Sequence, residues 1–129
     1  MNKIVLTIML FMSSLYSNEL LMTFDSNSYE IKKTQKKILD KYVDYLFTNY
    51  HLSINLEGHT DSVGTEEDNM KLSIKRAETV KAYIINEGII ESRINTISCG
   101  ELHPKVSNKT KEDRQQNRRV VAKPFDTFQ

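Results

Sequence analysis

The feature that most constrains this chain is a change of period. Leu52, Ile54 and Leu56 alternate with Ser53, Asn55 and Glu57, the two-residue repeat of a strand with one buried face. Beyond Gly58-His59-Thr60-Asp61-Ser62-Val63-Gly64, apolar residues recur at helical spacing through Met70, Ile74, Ala77, Val80 and Ile84. Asn86-Glu87-Gly88 supplies the stop, with Gly88 suited to the position just past a helix, so a helix is predicted from about Glu67 to Glu87. A chain that switches from strand to helix across a short loop packs the helix back on its sheet. The loop at the switch places a histidine, a threonine and an acid between two glycines, where junctions of this kind commonly carry ligand-binding groups.

The remaining segments build the same architecture. Leu20 to Phe24 reads as a first strand, closed by the turn residues Asp25-Ser26-Asn27-Ser28. From Glu30 to about Asn49, Ile31, Ile38, Tyr42, Tyr45 and Leu46 recur at helical spacing with lysines between them. Arg93 to Cys99 reads as a third strand, Gly100 to Thr110 as a loop, Lys111 to Asn117 as a polar segment and Arg119 to Lys123 as a fourth strand. The predicted order is β-α-β-α-β-β, a single α+β domain with its helices packed on one face of a mixed sheet. At 129 residues the chain holds one core and not two, and it shows no internal repeat.

Composition narrows the partners. A content of 39% hydrophobic and 27% charged residues with a net charge of +1 is that of a globular protein, and without a polybasic patch no nucleic acid is expected. Lys3, the apolar run Ile4 to Met12 and the small residues after it have the order of a secretory signal, with cleavage expected after Ser17. Residues 1–17 are thus expected to be a signal peptide and 18–129 the mature domain, formally neutral because Lys3 is the only charge removed. The apolar run is shorter than the roughly 20 residues that span a bilayer, so no membrane insertion of the mature chain is expected. Lone Cys99, in a strand-like segment, is expected to be a buried inert thiol.

A helical wheel centres the second helix's apolar stripe near Ala77 and places Asn69, Leu72 and Arg76 on an adjoining flank, neither in the core nor opposite it. Taken singly, Asp61 reads as a turn residue bonding its own backbone and Arg76 as a surface group. Taken together, a carboxylate and a guanidinium, both partly sheltered, suit a ligand that carries an ammonium and a carboxylate. A metal site is not expected, because His51, His59, His103 and the acids Glu66, Glu67 and Asp68 match neither a zinc nor a calcium spacing. Ser62 and Ser73 have no histidine base near in sequence and no nucleophile-elbow pattern, and His59 is expected to hydrogen-bond and hold the loop.

These residues form a pattern. Gly58-His59-Thr60-Asp61, Gly64, Asn69, Leu72-Ser73 and Arg76-Ala77 resemble the signature of the OmpA-like peptidoglycan-binding domain. Gly100, Pro104, Asn108, Thr110, Arg114 and Asn117-Arg118-Arg119-Val120 are similar to its second block. The resemblance implies the fold of the OmpA C-terminal domain and a non-catalytic, cofactor-free binding of the peptidoglycan stem peptide through diaminopimelate, whose side chain ends in an ammonium and a carboxylate. It implies Asp61 and Arg76 as the main ligand contacts, with Asp25, Asn69 and Leu72 lining the same pocket. His59, Thr60, Asn117 and Arg118 are expected to stand behind them, the last two bracing the loop and last strand. Asp113 departs from the family's usual glycine, which puts the local turn geometry in question.

Members of such a family are commonly attached through a barrel, a lipid or a helix. With no barrel-length sequence before residue 20 and Asn18 where a lipidated cysteine would stand, the resemblance implies a free periplasmic domain, tethered to the outer membrane only through a partner or through residues 1–17. A dimer would add avidity. The rival reading is an adaptor that binds mainly another envelope protein. A wall hydrolase has little support in the sequence.

Overall fold

The computed structural model describes residues 18–128, so the expected signal peptide lies outside the described residues. The elements, in order, are β1 (Leu20–Thr23), α1 (Lys33–Thr48), β2 (Leu52–His59), α2 (Glu66–Asn86), a 3-10 turn (Glu91–Arg93), β3 (Ile94–Gly100), α3 (Lys111–Asn117) and β4 (Arg119–Asp126). They form one mixed sheet in the order β1-β4-β2-β3. β4 runs antiparallel to both β1 and β2, and β3 runs parallel to β2.

The alternation in β2 sends Ile54 and Leu56 into the core, where both are fully buried. Met22, Leu39, Val43, Leu46, Val80, Ile84, Ile94 and Val120 complete that layer between sheet and helices. α2 covers β2 and β3, and α1 packs beside β1. Two apolar assignments from periodicity do not hold: Ile38 is 45% and Ile74 38% exposed. Leu39 and Val43 take the inward positions of α1, and Ser73 takes that of α2, because a small residue is needed where α2 crosses β2. Cys99 is half-buried at the end of β3, where burial and Glu57 push its thiol pKa up, the condition of an unreactive thiol.

The segment Lys111–Asn117 is a short helix rather than irregular chain. Its start is written in Thr110, whose hydroxyl accepts from the Asp113 backbone N–H at 3.0 Å. Asp113 therefore sits in a right-handed first helical turn, and among the described residues Asn27 is the only non-glycine with positive φ. β4 also runs past its expected end at Lys123, through Pro124. β1 pairs only with Arg119 to Ala122, so Pro124 lies beyond that neighbour and its missing N–H interrupts no β1 ladder.

Candidate functional site

The carboxyl end of β2 delivers the chain into the loop that builds the site. The β2/β3 register slips at Gly58/His59, and the Thr60 N–H donates to the Gly100 carbonyl at 2.8 Å, which fixes the point of departure. Asp61 then turns the chain: its Oδ1 accepts from the Val63 N–H at 3.0 Å. Gly64, at φ +94, makes the return to Thr65, whose hydroxyl caps α2 by accepting from the Asp68 N–H at 3.1 Å. The acidic run Glu66-Glu67-Asp68 fills the first turn of α2, where negative charge complements the helix dipole. Asn69 staples the loop to the helix, its Nδ2 donating to the carbonyls of Asp61 (3.2 Å) and Val63 (3.0 Å) and to Glu101 Oε1 (3.2 Å).

Behind the loop, Arg76 is fully buried, not on a half-sheltered flank. Its Nε donates to Ser28 O at 2.8 Å, Nη1 to His59 O at 3.0 Å and Nη2 to Asp25 O at 3.1 Å, and the guanidinium lies 5.4 Å from the centre of the Phe24 ring. The wheel angle was correct for the helix alone. The turn Asp25–Ser28 folds over that flank and buries it, an effect of tertiary packing that no helical period contains. Burial pulls the Arg76 pKa down to about 10, with Arg118 acting the same way and Asp61 opposing, so the group stays charged at neutral pH.

Between loop, turn and helix lies a cleft of about 230 Å³, smaller than the roughly 300–1,000 Å³ of drug-sized sites and suited to the end of one side chain. Thr60, Asp61, Asn69, Leu72, Arg76 and Arg118 line it, with Arg76 as its buried floor. Arg118 enters as a wall of this cleft: its Nη1 donates to Asp61 Oδ2 at 3.2 Å and its Nε to Phe24 O at 2.9 Å. Asp25, His59 and Asn117 do not line the cleft. The Asp25 side chain is 73% exposed and paired with Lys32 at 3.0 Å, so Asp25 serves the site only through its carbonyl. Asn117 is buried beneath the loop that precedes its helix, its Oδ1 accepting from the Lys105 and Val106 N–H groups and its Nδ2 donating to Val106 O and Asn108 Oδ1.

The His59 ring holds no part of the loop. Its Nε2 lies 3.4 Å from Glu57 Oε1, while Nδ1 is buried with no partner among the described residues. Burial, then Arg119, then His103 push its pKa down to about 4, with Glu57 opposing, so the ring is neutral at pH 7 and the Glu57 contact favours the proton on Nε2. The sign follows from the unfolded chain, whose histidine titrates near 6.5. Folding strength is complete above that value and falls as the pH drops from 6.5 towards 4, by an amount on the order of 2 to 3 kcal/mol. Urea unfolding at pH 7, 5.5 and 4 checks this, and His59→Gln is expected to flatten that part of the profile.

Five lining residues were not among the expected site: Ser26, Asn27, Val63, Gly64 and Asp68. Asp68 carried a usable signal, since Asp68, Leu72 and Arg76 stand four apart and so share one ridge of α2. Among the described residues no three His, Cys, Asp or Glu side chains gather as metal ligands. What the cleft offers is two carboxylates, of Asp61 and Asp68, and two guanidinium groups at the entrance to a helix, a charged receptor for a small polar group.

The architecture and this cleft define an open-sheet α+β binding domain. Residues 23–118 match the OmpA family, and the chain belongs to that family. It is 43% identical over 97 residues to outer membrane protein A of Bordetella avium, covering 75% of this chain and 50% of that protein. It is 34% identical over 98 residues to the peptidoglycan-associated lipoprotein of Buchnera aphidicola, covering 76% and 57%. The chain thus spans about half the length of these curated relatives. The crystal structure of the peptidoglycan-associated lipoprotein from Burkholderia pseudomallei superposes with a TM-score of 0.79 at 28% identity, covering 81% of this chain and 89% of that one.

Proposed function

We propose that this domain binds peptidoglycan without cutting it, by holding the zwitterionic end of a diaminopimelate side chain in the cleft between β2 and α2. The observation that carries this reading is the Asp61 carboxylate set beside the Arg118 guanidinium and above that of Arg76, in a cleft sized for one side-chain end. Asp61 takes the ligand's ammonium, and the two guanidinium charges favour its carboxylate. Asn69 and Leu72 shape the wall, and Thr60, whose hydroxyl donates to Asp61 O at 2.8 Å, helps hold the loop. The names of the Buchnera and Burkholderia relatives, both peptidoglycan-associated lipoproteins, support the same target.

A single charge-assisted contact contributes about 1.5–3 kcal/mol, so one stem peptide binds modestly and the dense repetition of ligand in the wall favours rebinding. The corresponding location is the periplasm of a Gram-negative cell, with any outer-membrane association through a partner. Among the described residues no helix is long and apolar enough to cross a membrane. Co-sedimentation with protein-free sacculi tests the reading. The chain is expected to pellet and to release no soluble wall fragments; a chain that stays in solution is an adaptor for another protein, and released fragments would make it a hydrolase.

A further inference from the structure

The end of the molecule away from the cleft is apolar. β2 enters there at Leu52 and reaches the cleft loop after His59, so the two ends stand about 25 Å apart at roughly 3.3 Å per residue. Of the phenylalanines in residues 18–128, Phe24 is in the core, while Phe47, Phe125 and Phe128 are all exposed at this far end. Tyr50 and Ile90 join them, and Tyr50 and Phe128 are 78% and 79% exposed. The five gather around one turn. Phe125 pairs across the sheet with Ser53, the Thr127 N–H donates to His51 O at 2.9 Å, and the Tyr50 ring stands edge-on to His51 with centroids 5.9 Å apart. Phe47 lies against Gly88, two residues before Ile90, and Arg93 ties the end together by donating to Leu46 O, Asn49 O and Leu52 O.

The chain arrives at the same end. β1 runs from this pole towards the cleft: Leu20 pairs with Ala122, and the Asn18 carbonyl accepts from the Tyr42 hydroxyl at 3.2 Å. Residues 13–17 alone separate Asn18 from the apolar run Ile4 to Met12, a reach of at most about 20 Å. When that run enters a membrane it brings this pole, and not the cleft, to the bilayer surface. The side chains project from turns and from the chain end rather than lining a groove, and aromatic rings of this kind partition into the headgroup layer. The neighbouring charges supply no basic patch: Glu91 pairs with Lys81 at 3.4 Å, Asp126 accepts from the Phe128 N–H at 2.9 Å, and Asp44 and Glu87 are exposed.

We propose that this pole is a membrane-contact face: Phe47, Tyr50, Ile90, Phe125 and Phe128 seat the domain on the surface of a lipid bilayer, with no segment crossing it, and turn the cleft away from the lipid. The attraction is apolar, so it is insensitive to salt and needs no anionic lipid. An exposed apolar patch of this size marks a surface that binds something. The contact goes beyond the wall-binding reading and does not depend on it; together the two let one small domain reach from bilayer to wall.

The test is flotation with neutral vesicles of phosphatidylcholine and phosphatidylethanolamine. It uses the purified 18–129 chain, which carries every element of the sheet and its core but not the apolar run. A floating fraction is expected, the same at low and high salt and with phosphatidylglycerol added. Tyr50→Ser/Phe128→Ser is expected to lower the partition coefficient by about tenfold or more, while Ile38→Ser/Leu102→Ser, which removes two exposed apolar side chains elsewhere, changes it by less than about twofold. Retention of Tyr50→Ser/Phe128→Ser on sacculi is expected to equal that of the unmodified chain, so failure of the membrane contact is read separately from failure of wall binding. The chain has no tryptophan, so Phe128→Trp supplies a single reporter whose emission is expected to shift to the blue on vesicles. A chain that does not float, that floats only on anionic vesicles at low salt, or that floats equally well as Tyr50→Ser/Phe128→Ser overturns the proposal, and so does an unshifted Phe128→Trp emission. A chain that ignores vesicles but forms a dimer dissociated by the double substitution overturns it in favour of a second copy on this pole.

Discussion

Replacing Arg76 with alanine is expected to lower the unfolding free energy by about 3 kcal/mol or more, through lost hydrogen bonds and a cavity. The side chain holds Ser28 O, His59 O and Asp25 O, and it packs on the fully buried ring of Phe24. Removing it takes a donor from the buried His59 carbonyl and from the part-buried Ser28 and Asp25 carbonyls, of which Asp25 O still accepts from the Ser28 N–H, and opens a space between the turn after β1 and the end of β2. Arg76→Lys is expected to lie between the two, since one ammonium cannot reach three acceptors fixed around a planar fork. Urea melts followed by circular dichroism measure both. A loss below about 1 kcal/mol for the alanine variant would mean that water replaces the guanidinium at little cost. The expected loss has a practical consequence: failure of Arg76→Ala to bind reports a damaged scaffold as readily as a missing ligand contact.

Gly58→Ala is expected to be at least as damaging, for a reason of space alone. A Cβ built at Gly58 would stand 2.0 Å from the backbone oxygen of Ser73 and 2.9 Å from its carbonyl carbon. Ser73 is fully buried, donates from its hydroxyl to Met70 O at 2.7 Å and accepts from the Gly100 N–H at 3.0 Å, so the helix backbone at this crossing is tied to β3 and cannot give locally. Overpacking against a rigid neighbour costs about 1–3 kcal/mol when side chains can adjust, and more when the obstacle is backbone. The variant is expected to lose about 3 kcal/mol or more in the same urea melts. The displacement would also separate β2, which leads into the Asp61 loop, from α2, which carries Arg76, so any residual folded fraction is expected to bind poorly. Full stability in Gly58→Ala would contradict the close approach of strand and helix on which the cleft depends.

Much of this architecture is legible in the residues. The alternation of Leu52, Ile54 and Leu56 gives β2 its buried face, and the switch to helical spacing after Gly64 places α2 to within a residue of its observed ends. The short helix α3 was missed because a polar seven-residue segment has no apolar stripe to read, although Thr110 three residues before Asp113 carries the cap that starts it. Ile38 and Ile74 fit the helical period and yet face solvent, since a period specifies a face but not its width.

The site was readable as a list and less so as a geometry. The signature places Asp61, Asn69, Leu72 and Arg76 together, and all four line the cleft. The depth of Arg76 depends on the turn Asp25–Ser28, contributed by a segment some fifty residues away. The Asp61–Arg118 pair likewise joins residues 57 positions apart. Asp25 shows the opposite case: its position beside the site is right, but Lys32 draws its carboxylate outward and only the backbone oxygen serves the cleft.

Whether the negative charge of Asp61 holds the domain on the wall is answered by Asp61→Asn on protein-free sacculi. Asparagine keeps an oxygen for the Val63 N–H, which preserves the turn, and removes the charge that would bind an ammonium and that pairs with Arg118, which is why the two chains are compared at equal stability. Losing one charge-assisted contact of about 1.5–3 kcal/mol is a tenfold to hundredfold loss of affinity. The unmodified chain is expected to pellet with sacculi while an equally stable Asp61→Asn chain stays in the supernatant. Equal retention of the two would contradict it.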